Sequence, residues 1–149
     1  MVVEMTEQEC RDLLARSSLG RLGCSKNDQP YVVPINFAYE GDYFYVLSTM
    51  GQKIEWMRAN PKVCVEVDEI AKQAEWMSVV VNGSYQELPE PQYAEERARA
   101  RKLLEKRTMW WHNALGERQL KSDSELIETT FFRIRAESMT GMRGATKTT

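Results

Sequence analysis

Hydroxyl and amino side chains are grouped where residues 48–53 lead into a predicted helix. Ser48 and Thr49 come just before this helix and Lys53 lies in its first turn. A helix N-terminus presents free N–H groups and the positive end of the helix dipole, so the whole group suits a bound phosphate. The alternative is structural: Ser48 or Thr49 caps a surface helix whose Lys53 is solvated, and caps of this kind are common.

Two predicted strands precede this helix and position its start. Apolar and aromatic residues alternate along residues 31–39, which predicts one strand, and a turn at Gly41 leads to a second strand over residues 43–48. Pro34 lies inside the first strand, where a central strand would lose a ladder hydrogen bond. This strand is therefore predicted to be an edge strand, to carry a bulge or to border an opening.

The rest of the chain favours strands over helices. Thr6 and Glu9 form a capping-box sequence at the start of a helix over residues 6–17, and Gly83 indicates a bulge or close approach in a strand over residues 76–87. Many strands joined by short turns indicate a mainly β fold with flanking helices, closed into an antiparallel barrel. The other predicted elements are strands over residues 19–25, 62–68 and 129–136, a polar loop over 69–75 and a helix over 92–107.

The composition limits the classes of function. At 149 residues, with 42% hydrophobic and 28% charged residues, the chain is expected to form one domain over residues 1–149, with a frayed tail from about residue 144. A net charge of −2 argues against a basic nucleic-acid surface. Three scattered cysteines without a CxxC motif predict reduced thiols in a cytoplasmic protein. Signal-peptide features and membrane-length apolar runs are absent from the sequence.

An ordered set of short motifs resembles a known family. The set consists of Arg21-Leu22-Gly23, residues 29–39, Gly51-Gln52-Lys53 and residues 60–64, followed by residues 76–83, residues 132–134 and Thr140-Gly141. In this order and at these spacings the chain resembles the FMN-binding split β-barrel family related to pyridoxamine 5′-phosphate oxidase. The nearest branch is that of the nitroimidazole-resistance-like flavoproteins, and the resemblance is strongest over residues 14–68.

The resemblance implies a split antiparallel β-barrel that forms a homodimer with two FMN sites at its interface. The flavin would supply the electron chemistry, and the protein would supply phosphate capture, ring orientation and electrostatics. Lys53 would hold the phosphate charge, with Ser48 and Thr49 as hydrogen-bond donors. The other candidate cofactor-binding residues line the flavin ring or lie near it: Val33, Pro34, Ile35, Asn36, Trp76, Ser78, Trp110 and Trp111. For the two adjacent tryptophans, packing within their own loop remains an alternative to contact with the partner's flavin.

One position departs from the nitroimidazole-resistance pattern. Relatives often carry a histidine in the segment that matches residues 45–48, and the corresponding position here is Leu47. Reduction of nitro compounds is therefore not carried over, and no catalytic residue is assigned. The predicted function is an FMN-dependent oxidoreductase acting on a small molecule, with a nicotinamide as candidate electron donor. The alternatives are a flavin-binding protein without turnover, used for storage, sensing or electron relay, and a haem-binding barrel. His112, the single histidine, disfavours the haem alternative and excludes a histidine-based metal site.

Overall fold

Strands dominate the architecture. The structure is a computed structural model that describes residues 1–72, 75–106 and 129–144. No helix in these ranges is long and apolar enough to cross a membrane. The elements in chain order are β1 (Val2–Glu4), α1 (Glu7–Arg16), β2 (Leu19–Lys26), β3 (Gln29–Asn36), β4 (Ala38–Glu40), β5 (Tyr43–Thr49), α2 (Gln52–Ala59), β6 (Lys62–Lys72), β7 (Glu75–Glu87), α3 (Ala94–Glu105) and β8 (Thr129–Gly144).

The strands form one antiparallel sheet that curls around a single core. Its order is β3-β2-β6-β7-β8-β5-β4, and β1 pairs with the far end of β8. Side chains from both halves of the sheet meet in the same core, for example Leu22 of β2, Val65 of β6 and Phe132 of β8, all fully buried. The predicted mainly β barrel with flanking helices is therefore confirmed.

The helices cover the sheet by apolar faces that the sequence indicates. The capping box at Thr6 and Glu9 is present at the start of α1, and this helix buries Leu13 and Leu14 in the core. Helix α2 buries Ile54 and Met57 in the same core. Helix α3 packs on the opposite face of the sheet, where Ala100 and Leu104 join Tyr45 of β5 and Phe131 of β8 in a second apolar cluster.

The predicted strand over residues 31–39 is wrong in one respect, because it is two strands that meet at Phe37. Strand β3 pairs with β2, whereas β4 pairs with β5 at the other end of the sheet. The Phe37 N–H still bonds the Ser18 carbonyl at 3.0 Å, after which the chain leaves the first ladder. Phe37 thus connects β3 and β4, the two end strands of the sheet.

Three other boundaries differ from the prediction, and one bulge agrees with it. The loop expected over residues 69–75 is wrong, since β6 continues to Lys72 and β7 begins at Glu75. Strand β8 runs to Gly144 rather than ending at residue 136, because β7 pairs with β8 from Phe132 to Gly144 and β1 pairs with the end of β8. Strand β1 was not predicted. The register shifts between Asn82 and Gly83, where a Cβ atom would lie 2.3 Å from the Arg135 carbonyl oxygen. Glycine is required there, as predicted.

Candidate functional site

Helix α2 begins without a capping side chain. Its N-cap residue is Gly51, which has extended backbone, and the first intrahelical bond runs from the Glu55 N–H to the Gly51 carbonyl at 3.2 Å. The N–H groups of Gln52, Lys53 and Ile54 precede that bond and have no partner within the helix. The capping role considered for Ser48 or Thr49 is therefore wrong, and the start of α2 offers three N–H groups to an anion.

Lys53 is half-buried between α2 and β2 rather than solvated. Burial lowers its pKa, while the nearby Cys24 of β2 acts in the opposite direction. No carboxylate in the described part of the chain forms an ion pair with it. A partly desolvated cation at the positive end of a helix is unfavourable by itself. A bound anion would relieve both the desolvation and the unfavourable dipole interaction.

The two predicted hydroxyl donors are separated by the strand that carries them. Ser48 and Thr49 are consecutive in β5, and consecutive strand residues point to opposite faces. Ser48 is buried, and its hydroxyl donates to the Thr49 carbonyl at 3.0 Å. Thr49 is half-exposed. Of this pair, Thr49 is therefore the more accessible donor for a ligand at the start of α2.

The hairpin between β2 and β3 fixes which main-chain groups of β3 face outward. Its two loop residues, Asn27 and Asp28, both have positive φ, which matches the two-residue turn of a tight hairpin. Lys26 and Gln29 then form a hydrogen-bonded pair, and such pairs alternate along the ladder with pairs that are not hydrogen-bonded. The hydrogen-bonded positions of β3 that follow in this alternation are Tyr31, Val33 and Ile35, and the bond between the Phe37 N–H and Ser18 continues it.

Pro34 falls at a position that does not bond to β2, so its missing N–H costs the ladder nothing. Strand β3 ends the sheet, and Pro34 is exposed, so the edge-strand alternative is confirmed. Val33 and Ile35 instead bond to β2 and turn their side chains to the core. The outward main-chain groups at this edge are those of Val32 and the Pro34 carbonyl. The main-chain groups of Val33 and Ile35 thus face β2, and Asn36 is buried. Their contact with a flavin ring stays a prediction.

Pro34, Trp76 and Ser78 lie on one face, the outer face of the sheet, as judged from register and burial. A polar network that was not predicted lies between them. The Ser78 hydroxyl donates to Glu66 Oε2 at 2.9 Å, and Arg21 Nη1 lies 3.3 Å from Asp68 Oδ2 and 3.8 Å from Glu66 Oε1. Burial and the adjacent Asp68 raise the pKa of Glu66, against opposing effects of Ser78 and Arg21. The available sequence signal was the spacing of Glu66 and Asp68, which places both carboxylates on one strand face.

Two cavities flank this face. One of about 600 Å³ lies beside β3, between the β2–β3 hairpin and the start of β6, and Cys24 in its lining is also the neighbour of Lys53. The other, of about 330 Å³, is lined by Trp76 together with Met77 and the end of β8. The first cavity therefore shares Cys24 with the surroundings of Lys53, but none of its lining residues belongs to α2.

Some predicted groups lie outside the described residues, namely Trp110, Trp111 and His112. Within the described ranges no cluster of ligand side chains could hold a metal ion. The predicted residues thus fall into three separate groups: Lys53 at the start of α2, the free edge of β3, and the outer-face residues around Glu66.

Known proteins are similar to this chain in sequence and in fold. A family model described as pyridoxamine 5′-phosphate oxidase matches residues 6–143. The uncharacterized protein RA0666 of Rhizobium meliloti is 43% identical over 138 residues, which cover 92% of this chain and 91% of that protein. A solved FAD-binding protein from Mesorhizobium loti is 36% identical, with a TM-score of 0.76 over 97% of this chain and 99% of that one.

A more distant structure shares the fold alone. A Bacteroides thetaiotaomicron protein, described as a candidate 5-nitroimidazole antibiotic resistance protein, is 18% identical, with a TM-score of 0.69 over 96% of this chain and 87% of that one. The split-barrel fold implied by the sequence motifs is therefore confirmed. The family model spans most of the chain and the curated relative is close in sequence, so this chain belongs to the pyridoxamine 5′-phosphate oxidase family.

Proposed function

We propose that this protein binds FMN and acts as a flavin-dependent oxidoreductase on a small molecule. The observation that carries the proposal is the half-buried Lys53, without a carboxylate partner among the described residues, at the uncapped start of α2. A phosphate dianion there would be held by helix N–H groups, the Lys53 ammonium and the Thr49 hydroxyl. This arrangement fits the terminal phosphate of FMN.

The ring would lie along the free edge of β3. The Val32 N–H and carbonyl and the Pro34 carbonyl point away from β2, so they supply one donor and two acceptors for a polar ring edge. Pro34 presents a flat apolar surface beside them. The bound flavin would supply electron transfer, and this chain would supply binding, orientation and exclusion of water.

The Mesorhizobium loti relative is described as FAD-binding, which supports a flavin and leaves its type to be tested. We favour FMN because its phosphate is a terminal dianion, whereas each phosphate of the FAD pyrophosphate carries a single charge. Lys53 and the helix dipole discriminate by that charge. Extraction of the cofactor from the purified protein, followed by chromatography against FMN and FAD standards, distinguishes the two directly.

The absorbance spectrum of the purified protein tests the proposed function. Flavin bands are expected, and reduction of these bands by a nicotinamide donor, followed by reoxidation with a small-molecule acceptor, would support turnover. Flavin bands that no donor reduces would instead favour a storage, sensing or relay protein. A haem Soret band, or failure of the apo-protein to bind any added flavin, would contradict the proposal.

A homodimer is part of the same proposal, because β3 ends the sheet and exposes main-chain groups that a second subunit could cover. Light scattering at micromolar concentration should report twice the mass of one chain. A flavin-loaded monomer would contradict this part.

A further inference from the structure

The segment that leads into α2 has little packing support of its own. Met50 and Gly51 alone connect Thr49 of β5 to the first residue of α2. Gly51 is exposed, and a Cβ atom built on it would meet nothing beyond its chain neighbours within 4 Å. The direction of the first helix N–H groups therefore depends on contacts that are made elsewhere along α2.

One such contact runs from the last turn of α2 back to the segment before its start. Helix side chains lean toward the N-terminus, and Arg58 in the last turn of α2 reaches back in this way. Its Nη2 atom contacts Met50 Sδ at 4.0 Å. The Thr130 hydroxyl of β8 donates to the same sulfur atom at 2.9 Å. Met50 is thus held between α2 and β8.

The Arg58 guanidinium is itself held in place by Glu87 at the end of β7. Arg58 Nε donates to Glu87 Oε1, and the Tyr85 hydroxyl donates to the same oxygen at 2.6 Å. Tyr85 is fixed in turn, because its ring packs on Phe132 with centroids 5.2 Å apart and its N–H bonds the Pro61 carbonyl at 2.8 Å. Arg58 therefore ties the segment before α2 to the end of β7.

Arg58 does not point to the proposed phosphate position. Lys53 and Arg58 are five residues apart on α2, which separates their directions by about 140° around the helix axis. Lys53 lies near Cys24 of β2, whereas Arg58 is bound to Glu87 of β7. An effect of Arg58 on phosphate binding must therefore pass through the position of the α2 start.

We propose that Arg58, held by Glu87, is a positioning residue for the phosphate site. By fixing Met50, it sets the start of α2 so that the helix N–H groups, Lys53 and Thr49 meet on one phosphate. Groups that are already in place bind more tightly, because ordering them on binding costs affinity. Phosphate affinity then depends on an ion pair that the ligand does not touch. This inference rests on the proposed flavin site.

Paired titrations of the apo-protein with FMN and riboflavin test the proposal. Arg58→Met keeps an unbranched side chain without donors, and Glu87→Met removes the acceptor. Each variant should lower FMN affinity about three- to tenfold, since the net contribution of a hydrogen bond corresponds to a change of this size. Riboflavin affinity should stay unchanged. The ratio of the two affinities is the readout, because partial unfolding would weaken both ligands equally.

The Glu87 variant separates positioning from a simple effect of charge. Removal of a carboxylate makes the surroundings more positive, so a charge effect alone would strengthen FMN binding, whereas positioning predicts weaker binding. Arg58→Lys keeps the charge but replaces the fork of donors by a single ammonium, so it should weaken FMN binding nearly as much as Arg58→Met. Stronger FMN binding by Glu87→Met, or wild-type FMN binding by Arg58→Lys, would overturn the proposal.

Arg99→Met is the matched control. It breaks an ion pair of the same kind, between Arg99 of α3 and Glu40 of β4, and α3 packs on the opposite face of the sheet from α2. This variant should leave the ratio of FMN affinity to riboflavin affinity unchanged. An equal fall of the ratio in Arg99→Met and Arg58→Met would show that the loss of any surface cation suffices, and the role of Arg58 would be refuted.

Coupling to Lys53 completes the test. In a Lys53→Ala background, Arg58→Met should cost less FMN affinity than in wild type, because a positioning residue acts through the groups that it positions. Fully additive losses would contradict this link. If Lys53→Ala weakens FMN selectively while the Arg58 and Glu87 variants do not, the inference fails and the proposed function stands. Wild-type protein that binds no flavin would overturn both.

Discussion

Replacement of Lys53 by alanine is the most direct perturbation of the proposed phosphate site. The variant removes the ammonium and leaves the helix N–H groups in place. A hydrogen bond to a charged group contributes about 1.5–3 kcal/mol, and half-burial of Lys53 limits screening by salt. At about 1.4 kcal/mol per factor of ten, FMN affinity should fall about ten- to a hundredfold. Riboflavin lacks the phosphate, so its affinity should barely change.

Titration of the apo-protein with both flavins, followed by fluorescence quenching, measures this selectivity. Lys102→Ala is the matched control, because it removes an exposed lysine on α3, which packs on the opposite face of the sheet from α2. The control should leave both affinities within about twofold, since a distant exposed charge is screened. Equal weakening of FMN and riboflavin by Lys53→Ala would show that Lys53 does not recognise the phosphate. No weakening of either would place the anion site elsewhere.

The same variant has an expected effect on stability. Burial lowers the pKa of Lys53 in the folded protein below its ordinary value of 10.5. At a pH between the folded pKa and the ordinary pKa, the unfolded chain therefore binds more protons than the folded one. The free energy of unfolding of the apo-protein should therefore rise with pH through that alkaline interval. Lys53→Ala should flatten this rise and should not lower stability at pH 7. A large loss of stability at pH 7 would show that the lysine supports the fold.

Four further variants test the packing, the helix capping and an ion pair of the fold. Gly83→Ala should destabilise by about 1–3 kcal/mol in urea denaturation, because its Cβ would meet a backbone carbonyl, whereas Gly51→Ala meets nothing and should cost under about 1 kcal/mol. Thr6→Ala removes the N-cap of α1 and should cost about 0.5–2 kcal/mol by the same measurement, so no change would argue against the capping box. Burial alone would raise the pKa of Glu87, but the hydrogen bond from Arg58 helps to lower this pKa below its ordinary value. The Glu87 carboxylate therefore adds stability that is lost as pH falls through its folded pKa. Glu87→Gln should therefore reduce the loss of stability on acidification, and an unchanged acid profile would contradict this.

Local sequence signals were sufficient for the elements. The capping box at Thr6 defines the start of α1 because both of its hydrogen bonds lie within four residues. The end of α2 at Asn60-Pro61 and the bulge at Gly83 were also predictable, since proline and glycine restrict or permit backbone geometry at their own positions. Alternation of apolar residues predicted which side chains of β6 and β7 face the core, because strand periodicity is a property of the backbone.

Contacts between distant segments decided the parts that the local pattern missed. Residues 137–144 extend β8 because β7 and β1 pair with them, although their own pattern is not that of a strand. The break at Phe37 arises because β3 and β4 belong to opposite ends of the sheet. The sequence likewise has no local signal for the burial of Lys53 against Cys24, which depends on how α2 packs on β2.

By itself the sequence determined the family, the mainly β architecture and the start of α2 as an anion-binding candidate, because motif order, strand periodicity and helix termini are encoded within short segments. The tertiary structure alone decided which groups face a ligand. The alternation of hydrogen-bonded pairs along the β2–β3 hairpin directs the main-chain groups of Val32 and the Pro34 carbonyl away from β2. The main-chain groups of Val33 and Ile35 face β2, and their side chains face the core. The curl of the sheet holds Pro34 and Trp76 on one face but far apart. Register and curvature arise from pairing between segments remote in sequence, and a pattern of neighbouring residues does not contain them.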